Sequence, residues 1–161
     1  MNRKPFLLAT ACLLCVVLIS CQARTPAHYL LESGFAGWVR IDFNVAGAPP
    51  LVKESGAYIL RVDSSGHAST SSNPIDLLAE HRFYVRDKGA DTELKENKFW
   101  NAKREFKETG AEAEPRVWGR GITVEQNGGR ELVWERFFVG TKAQFADSIR
   151  SWEHWEPEFR H

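Results

Sequence analysis

Cysteine is almost missing from this chain. Of 161 residues only Cys12, Cys15 and Cys21 are cysteines, so beyond residue 21 no disulfide framework, Cys-based zinc site or thiol nucleophile can form. An excess of either charge is missing too. Lys+Arg 21 against Asp+Glu 21 leaves a formal net charge of +0, which removes the basic footprint of a nucleic-acid binder and the acidic bias of a disordered tail. Catalytic signatures are also lacking. The five histidines, His28, His67, His81, His154 and His161, show no metal-ligand spacing, and no nucleophile elbow, phosphate loop or dinucleotide fingerprint occurs. No metal, cofactor or catalytic residue is therefore assigned. Ser64-Ser65-Gly66-His67 could be imagined as a nucleophile beside a base, but a polar turn explains it without chemistry.

What is present is ample apolar material. With 43% hydrophobic and 12% aromatic residues the chain can bury a core, and its length suits one domain. One apolar run stands apart. Arg3 and Lys4 precede an uncharged stretch from Pro5 to Ser20, the pattern of a secretory signal. It ends in Leu18-Ile19-Ser20-Cys21, which resembles the lipobox of bacterial lipoproteins. That resemblance implies cleavage before Cys21, a thioether-linked diacylglyceryl on its sulfur and an acylated new N-terminus. Residues 1–20 are then a lipoprotein signal peptide, and the chain is held on a membrane by its lipids. An uncleaved signal anchor is the alternative, since no charge lies between Lys4 and Arg24 and a spanning helix needs about 20 residues. Cys12 makes a weaker second lipobox. Gln22 after the cysteine points to the outer membrane where the host has two. The mature chain keeps no free thiol, and losing Arg3 and Lys4 leaves it slightly acidic.

Residues 21–33 are expected to form the lipidated N-terminus and a short tether, and residues 34–161 a single β-rich domain. Val39, Ile41, Phe43 and Val45 alternate with Arg40, Asp42 and Asn44, a strand with one buried face. Paired Pro49-Pro50 ends it. Turns at Glu54-Ser55-Gly56 and Asp63-Ser64-Ser65-Gly66 flank a second strand at Tyr58–Val62, which predicts hairpin topology. His67 to Pro74 reads as a loop or irregular edge strand, Ile75 to Glu80 as a helical turn, and Arg82–Arg86 as a third strand. From Leu94 to Glu114 charge dominates and no period emerges. Asn127-Gly128, between two β-rich runs, is a hairpin signal. Thr141 with Gln144 forms a capping-box pattern, and Phe145, Ile149 and Trp152 follow at helical spacing. The expected fold is mainly β, an antiparallel sandwich with one C-terminal helix over about 142–155.

Gly34-Phe35-Ala36-Gly37-Trp38-Val39, Gly47-Ala48-Pro49-Pro50, Thr70-Ser71-Ser72 and Phe137-Phe138-Val139-Gly140-Thr141 together resemble a family of small uncharacterised bacterial secreted and lipoprotein domains, over about residues 28 to 142. The resemblance implies no activity, so no catalytic residue is carried over. The order of strand, Pro loop, Gly-Tyr strand and Gly turn is similar to transthyretin-like and carboxypeptidase-regulatory sandwiches, a likeness of fold alone.

The six tryptophans all fall in the mature chain. Most are expected in the core, but two or three on the surface with a cation nearby would make a binding platform. Trp38, Arg40, Tyr84 and Arg136 are the candidate ligand-binding residues, and Cys21 is the lipid-attachment residue. The expected function is that of a non-catalytic envelope lipoprotein, bound to the membrane through Cys21 and to a partner protein or cell-wall glycan. Two alternatives remain: a small envelope hydrolase assembled from His81, Asp42 or Glu135, and an immunity-type protein that occludes a toxin.

Overall fold

The computed structural model describes residues 24–97 and 113–152, the side chains of Ser151 and Trp152 aside. Cys21, Trp100 and Trp155, and the predicted end of the helix beyond 152, lie outside them. Among the described residues nine strands precede one helix: β1 (Ala27–Glu32), β2 (Gly37–Phe43), β3 (Val52–Glu54), β4 (Ala57–Arg61), β5 (His67–Ser69), β6 (His81–Asp87), β7 (Ala90–Leu94), β8 (Arg116–Asn127), β9 (Arg130–Gly140) and α1 (Lys142–Trp152). They make two sheets, in the orders β3-β4-β1-β6-β7 and β5-β2-β9-β8.

The expected tether is shorter than residues 21–33. Ala27–Glu32 is a strand at the centre of the first sheet, because Ala27, Tyr29 and Leu31 alternate on a buried face. The sheets are also mixed rather than antiparallel. β1 runs parallel to both β4 and β6, since the chain crosses to the second sheet between these strands to lay down β2 and then β5. Antiparallel hairpins add β3 and β7 at the edges. The Ser55-Gly56 turn makes the predicted hairpin. Asp63–Gly66 does not; it carries the chain to the other sheet, where β5 pairs parallel to β2. The Asn127 hairpin forms as expected between β8 and β9, and within Ile75–Glu80 the chain makes a turn at Leu77 and Leu78.

Mainly β character with one C-terminal helix is what the structure shows. Tyr29, Leu31, Leu60 and Phe83 of the first sheet meet Val39, Ile41, Phe43, Val133, Phe137 and Val139 of the second in one apolar core, so the sheets pack face to face as a sandwich. A smaller cluster lies on the second sheet's outer face. There Phe145 of α1 is buried against Trp118, Phe138 and Trp38, stacking on the Trp118 ring at 5.6 Å. The helix starts with the expected capping box: Gln144 N donates to Thr141 Oγ1 at 3.3 Å and Thr141 N to Gln144 Oε1 at 2.8 Å.

One irregularity in the second sheet decides which side chains of β8 face the core. The β8–β9 register shifts between Trp118 and Gly121, with Gly119 at φ +60°. Val117, opposite Val139, and Ile122, opposite Glu135, both pack against the main core. The bulge has therefore exchanged odd for even positions, which turns Arg120 inward. Gly119 is required twice over, because an added Cβ would meet Phe145 Cζ at 3.1 Å and a side chain is strained at this φ. Gly119→Ala is expected to cost about 1–2 kcal/mol, read as a lower urea midpoint at unchanged slope.

Candidate functional site

Two groups of polar residues stand out, one between the sheets and one on an outer face. The first centres on Glu135, only 1% exposed. Tyr29 donates its hydroxyl proton to Glu135 Oε2 at 2.8 Å, and Arg120 Nη1 donates to Glu135 Oε1 at 2.9 Å. Arg120 Nε reaches Glu96 Oε1 at 2.8 Å. On the other side, His81 Nδ1 lies 2.9 Å from the Tyr29 hydroxyl and His81 Nε2 3.0 Å from the Asp76 carbonyl. A chain of polar contacts thus crosses the sandwich from the turn before β6 to the segment after β7.

Proton counting constrains this chain. The Asp76 carbonyl can only accept, so a neutral His81 bonded to it carries its proton on Nε2 and leaves Nδ1 as an acceptor. Tyr29 then has one proton for two acceptors. It gives that proton to the carboxylate, as charge-assisted bonds are the stronger. Burial, and then the facing carboxylate of Glu135, holds the Tyr29 phenol well above its ordinary range. Burial and then the Arg120 charge push His81 below its ordinary value. Burial opposes the Arg120 charge, but hydrogen bonds to Glu96 and Glu135 outweigh it and the guanidinium is held more firmly protonated than usual.

The second group lies on the outer face of the second sheet. Arg40 Nε donates to Asp42 Oδ1 at 2.8 Å, and Asp42 Oδ2 is 2.6 Å from His67 Nε2. The Arg40 guanidinium sits 4.6 Å from the centre of the Trp134 ring, a cation–π contact. Arg136 is the direct cross-strand neighbour of Arg40. Like charges facing each other destabilise a pair of strands, and Asp42 offsets part of this.

Of the four residues expected to bind ligand, Trp38, Arg40 and Arg136 share the outer face of the second sheet and Tyr84 does not. Arg40 and Arg136 are neighbours as required. Trp38, on the same face, packs against the cluster under α1, edge-on to Phe138 at 5.5 Å. Tyr84 belongs to β6 in the other sheet, edge-on to His28 at 5.4 Å; strand parity puts it on that sheet's outer side, opposite to Phe83. Of the hydrolase candidates, His81 and Glu135 do share a site, bridged by Tyr29, whereas Asp42 lies on the outer face with His67. Sequence reasoning missed Trp134, which parity along β9 puts beside Arg136, and Arg120, which depends on the bulge. Three surface depressions accompany these groups: one of about 560 Å³ lined in part by Arg24, Tyr58 and Ser72, and two lined by residues of β3 to β5 and by the β1–β2 turn with Ser64 and Ser65. None of these three opens onto Glu135 or His81.

The model of the family described as "Family of unknown function (DUF6843)" matches residues 23–145, from the segment before β1 into the first turn of α1. The chain belongs to this family. DUF6843 membership thus covers both sheets and all residues of the two polar groups. A solved structure named "Putative Lipoprotein from Bacillus anthracis" is similar to this DUF6843 chain, with a TM-score of 0.54 and 18% identity over 73% of this chain and 71% of that one. At that identity the likeness is one of fold. No curated protein matches the chain.

The buried group makes two expectations concrete. Arg120→Ala leaves Glu135 buried without its countercharge and is expected to cost about 3–5 kcal/mol, against about 1–3 kcal/mol for Tyr29→Phe, both read by urea unfolding. The lowered His81 value means that the unfolded chain takes up a proton before the folded one does. Stability should therefore be complete above the ordinary histidine range and fall as pH drops through it, until the folded state also protonates. His81→Gln should flatten the melting temperature against pH between neutrality and the onset of carboxylate titration.

Proposed function

We propose that this protein is an envelope lipoprotein, anchored by lipid on Cys21, whose domain binds a partner protein or cell-wall component without catalysing a reaction. The observation that carries the binding half is the Arg40–Trp134 cation–π pair on the outer face of the second sheet, with Arg136 as the cross-strand neighbour of Arg40. Tryptophan and arginine are the residues that most often dominate binding energy. A guanidinium stacked on an indole favours a ligand that presents anionic or planar groups.

The geometry around His67 supports a non-catalytic role. Its carboxylate partner Asp42 is engaged by Arg40, and the nearby Ser65 Oγ donates to Asp63 Oδ1 at 2.6 Å. Asp63 Oδ1 also accepts from Ser65 N and His67 N. This is turn chemistry, and it directs the hydroxyl away from the imidazole. The anchor half rests on Leu18-Ile19-Ser20-Cys21 behind an apolar run. The name of the structural neighbour agrees with it. In a host with two membranes, Gln22 favours the outer one.

Cys21→Ala is expected to abolish palmitate incorporation and to move the protein out of the membrane fraction; unchanged labelling would refute the anchor. Crosslinking of the intact protein in its own envelope should recover a specific partner or glycan. The double variant Arg40→Ala, Trp134→Ala should reduce that recovery about tenfold or more, and equal recovery would exclude this face.

A further inference from the structure

We infer that the Leu77–Leu78 turn is a membrane-contact element, which inserts into the bilayer holding the acyl chains of Cys21 and seats the sandwich end-on against it. The inference rests on the lipidation of Cys21 proposed for this chain. Leu78 is 74% exposed and Leu77 49%, and Leu78 is the most exposed of the large apolar side chains among the described residues. Their flanks are the reverse: Ile75 and Ala79 are packed in the main core. Asp76 locks the turn between them, its Oδ1 accepting from Leu78 N at 2.8 Å and its carbonyl from Ala79 N at 2.9 Å. Two leucines are thus held in water by a turn whose ends are fixed in the core, which is the build of an insertion wedge and not of a collapsed loop.

The position of the anchor selects the occupant. Arg24 Nε is bound to Asp76 Oδ2 at 2.6 Å, so the start of the described chain is fastened to this same turn. Cys21 precedes Arg24 by three residues, which span about 11 Å at most. Pro26 and Ala27 are fixed as well, by the bonds Tyr58 N to Pro26 O and Ala27 N to Glu80 O, each 2.8 Å. No long linker therefore separates the lipid from the leucines. Arg24, paired with Asp76, and Lys53, whose Nζ donates to Thr25 Oγ1 at 3.0 Å, hold the same N-terminal segment. The polar depression lined by Arg24, Thr25, Tyr58 and Ser72 lies behind it. An apolar tip framed by charged and hydroxyl side chains suits the layering of hydrocarbon and head groups.

The scarcity of thiols makes this testable on the full acylated chain. With Cys12 and Cys15 cleaved off and Cys21 acylated, Leu78→Cys carries the single free thiol and accepts an environment-sensitive fluorophore. Ala90→Cys, at the start of β7 just past the far end of β6, is the control. Each labelled protein is reconstituted in phosphatidylethanolamine and phosphatidylglycerol vesicles containing brominated acyl chains. Position 78 is expected to emit blue-shifted light and lose most of its intensity to the brominated lipid, while position 90 does neither. Incorporated palmitate with no shift at position 78 overturns the docking and spares the anchor. A blue shift that brominated lipid leaves unquenched means that protein covers the leucines, and also overturns it. Absence of palmitate and of vesicle association removes the anchor reading and the docking with it. Leu77→Ser, Leu78→Ser should keep the palmitate label yet raise the protease sensitivity of the domain's membrane-facing end on vesicles; unchanged sensitivity counts against the wedge.

Discussion

A carboxylate sealed between two sheets governs this molecule. Glu135 stands among apolar side chains, and an ion in such surroundings loses far more hydration than one contact returns. Tyr29 and Arg120 answer that loss from opposite sides. Their directions matter as much as their strength. Apolar contacts between sheets have no preferred orientation and tolerate sliding, whereas hydrogen bonds about 3 Å long do not. The chain from His81 through Tyr29, Glu135 and Arg120 to Glu96 therefore sets how the two sheets face each other, and it draws on β6, β1, β9, β8 and the segment after β7 to do so.

Much of the fold was legible in the residues, and the failures have physical causes. Period-two alternation disclosed β2, β4 and β6, the Asn127 turn disclosed the long hairpin, and the Thr141–Gln144 pair disclosed the helix start. β1 escaped because only six residues alternate there, directly after a segment read as a tether, and because parallel partners leave no hairpin signal in sequence. Its charge alone would put Glu135 on a polar face. Parity says otherwise, since Val133, Phe137 and Val139 share its side. Arg120 was out of reach altogether, as its inward turn depends on a bulge at Gly119 that no propensity announces. The candidate surface was half legible. Arg40 and Arg136 are neighbours because their strands pair, but the aromatic beside them is Trp134, while Trp38 is claimed by the helix.

The two polar groups divide the labour of the fold. Inside, the side chains that reach Glu135 serve cohesion. Outside, Arg40, Asp42, His67, Trp134 and Arg136 occupy the outer face of the second sheet, beside the cluster of Trp38, Trp118 and Phe138 on which α1 packs. The same strands thus carry a structural residue and a surface residue in alternation. Glu135 and Trp134 are adjacent in the chain and face opposite sides of the sheet.

The place of β1 has a mechanical side. It is the first strand after the proposed lipid anchor and the middle strand of its sheet, bonded on one edge to β4 and on the other to β6. Tension between the membrane and a ligand on the outer face would enter through Arg24 and run along the axis of β1. The hydrogen bonds of both ladders lie across that axis, so they would be loaded in shear and share the force, and no single rung could open first as in a zipper. A strand placed at the sheet's edge would peel. Threaded through the centre, the anchor segment becomes the part of the domain best suited to resist being pulled out.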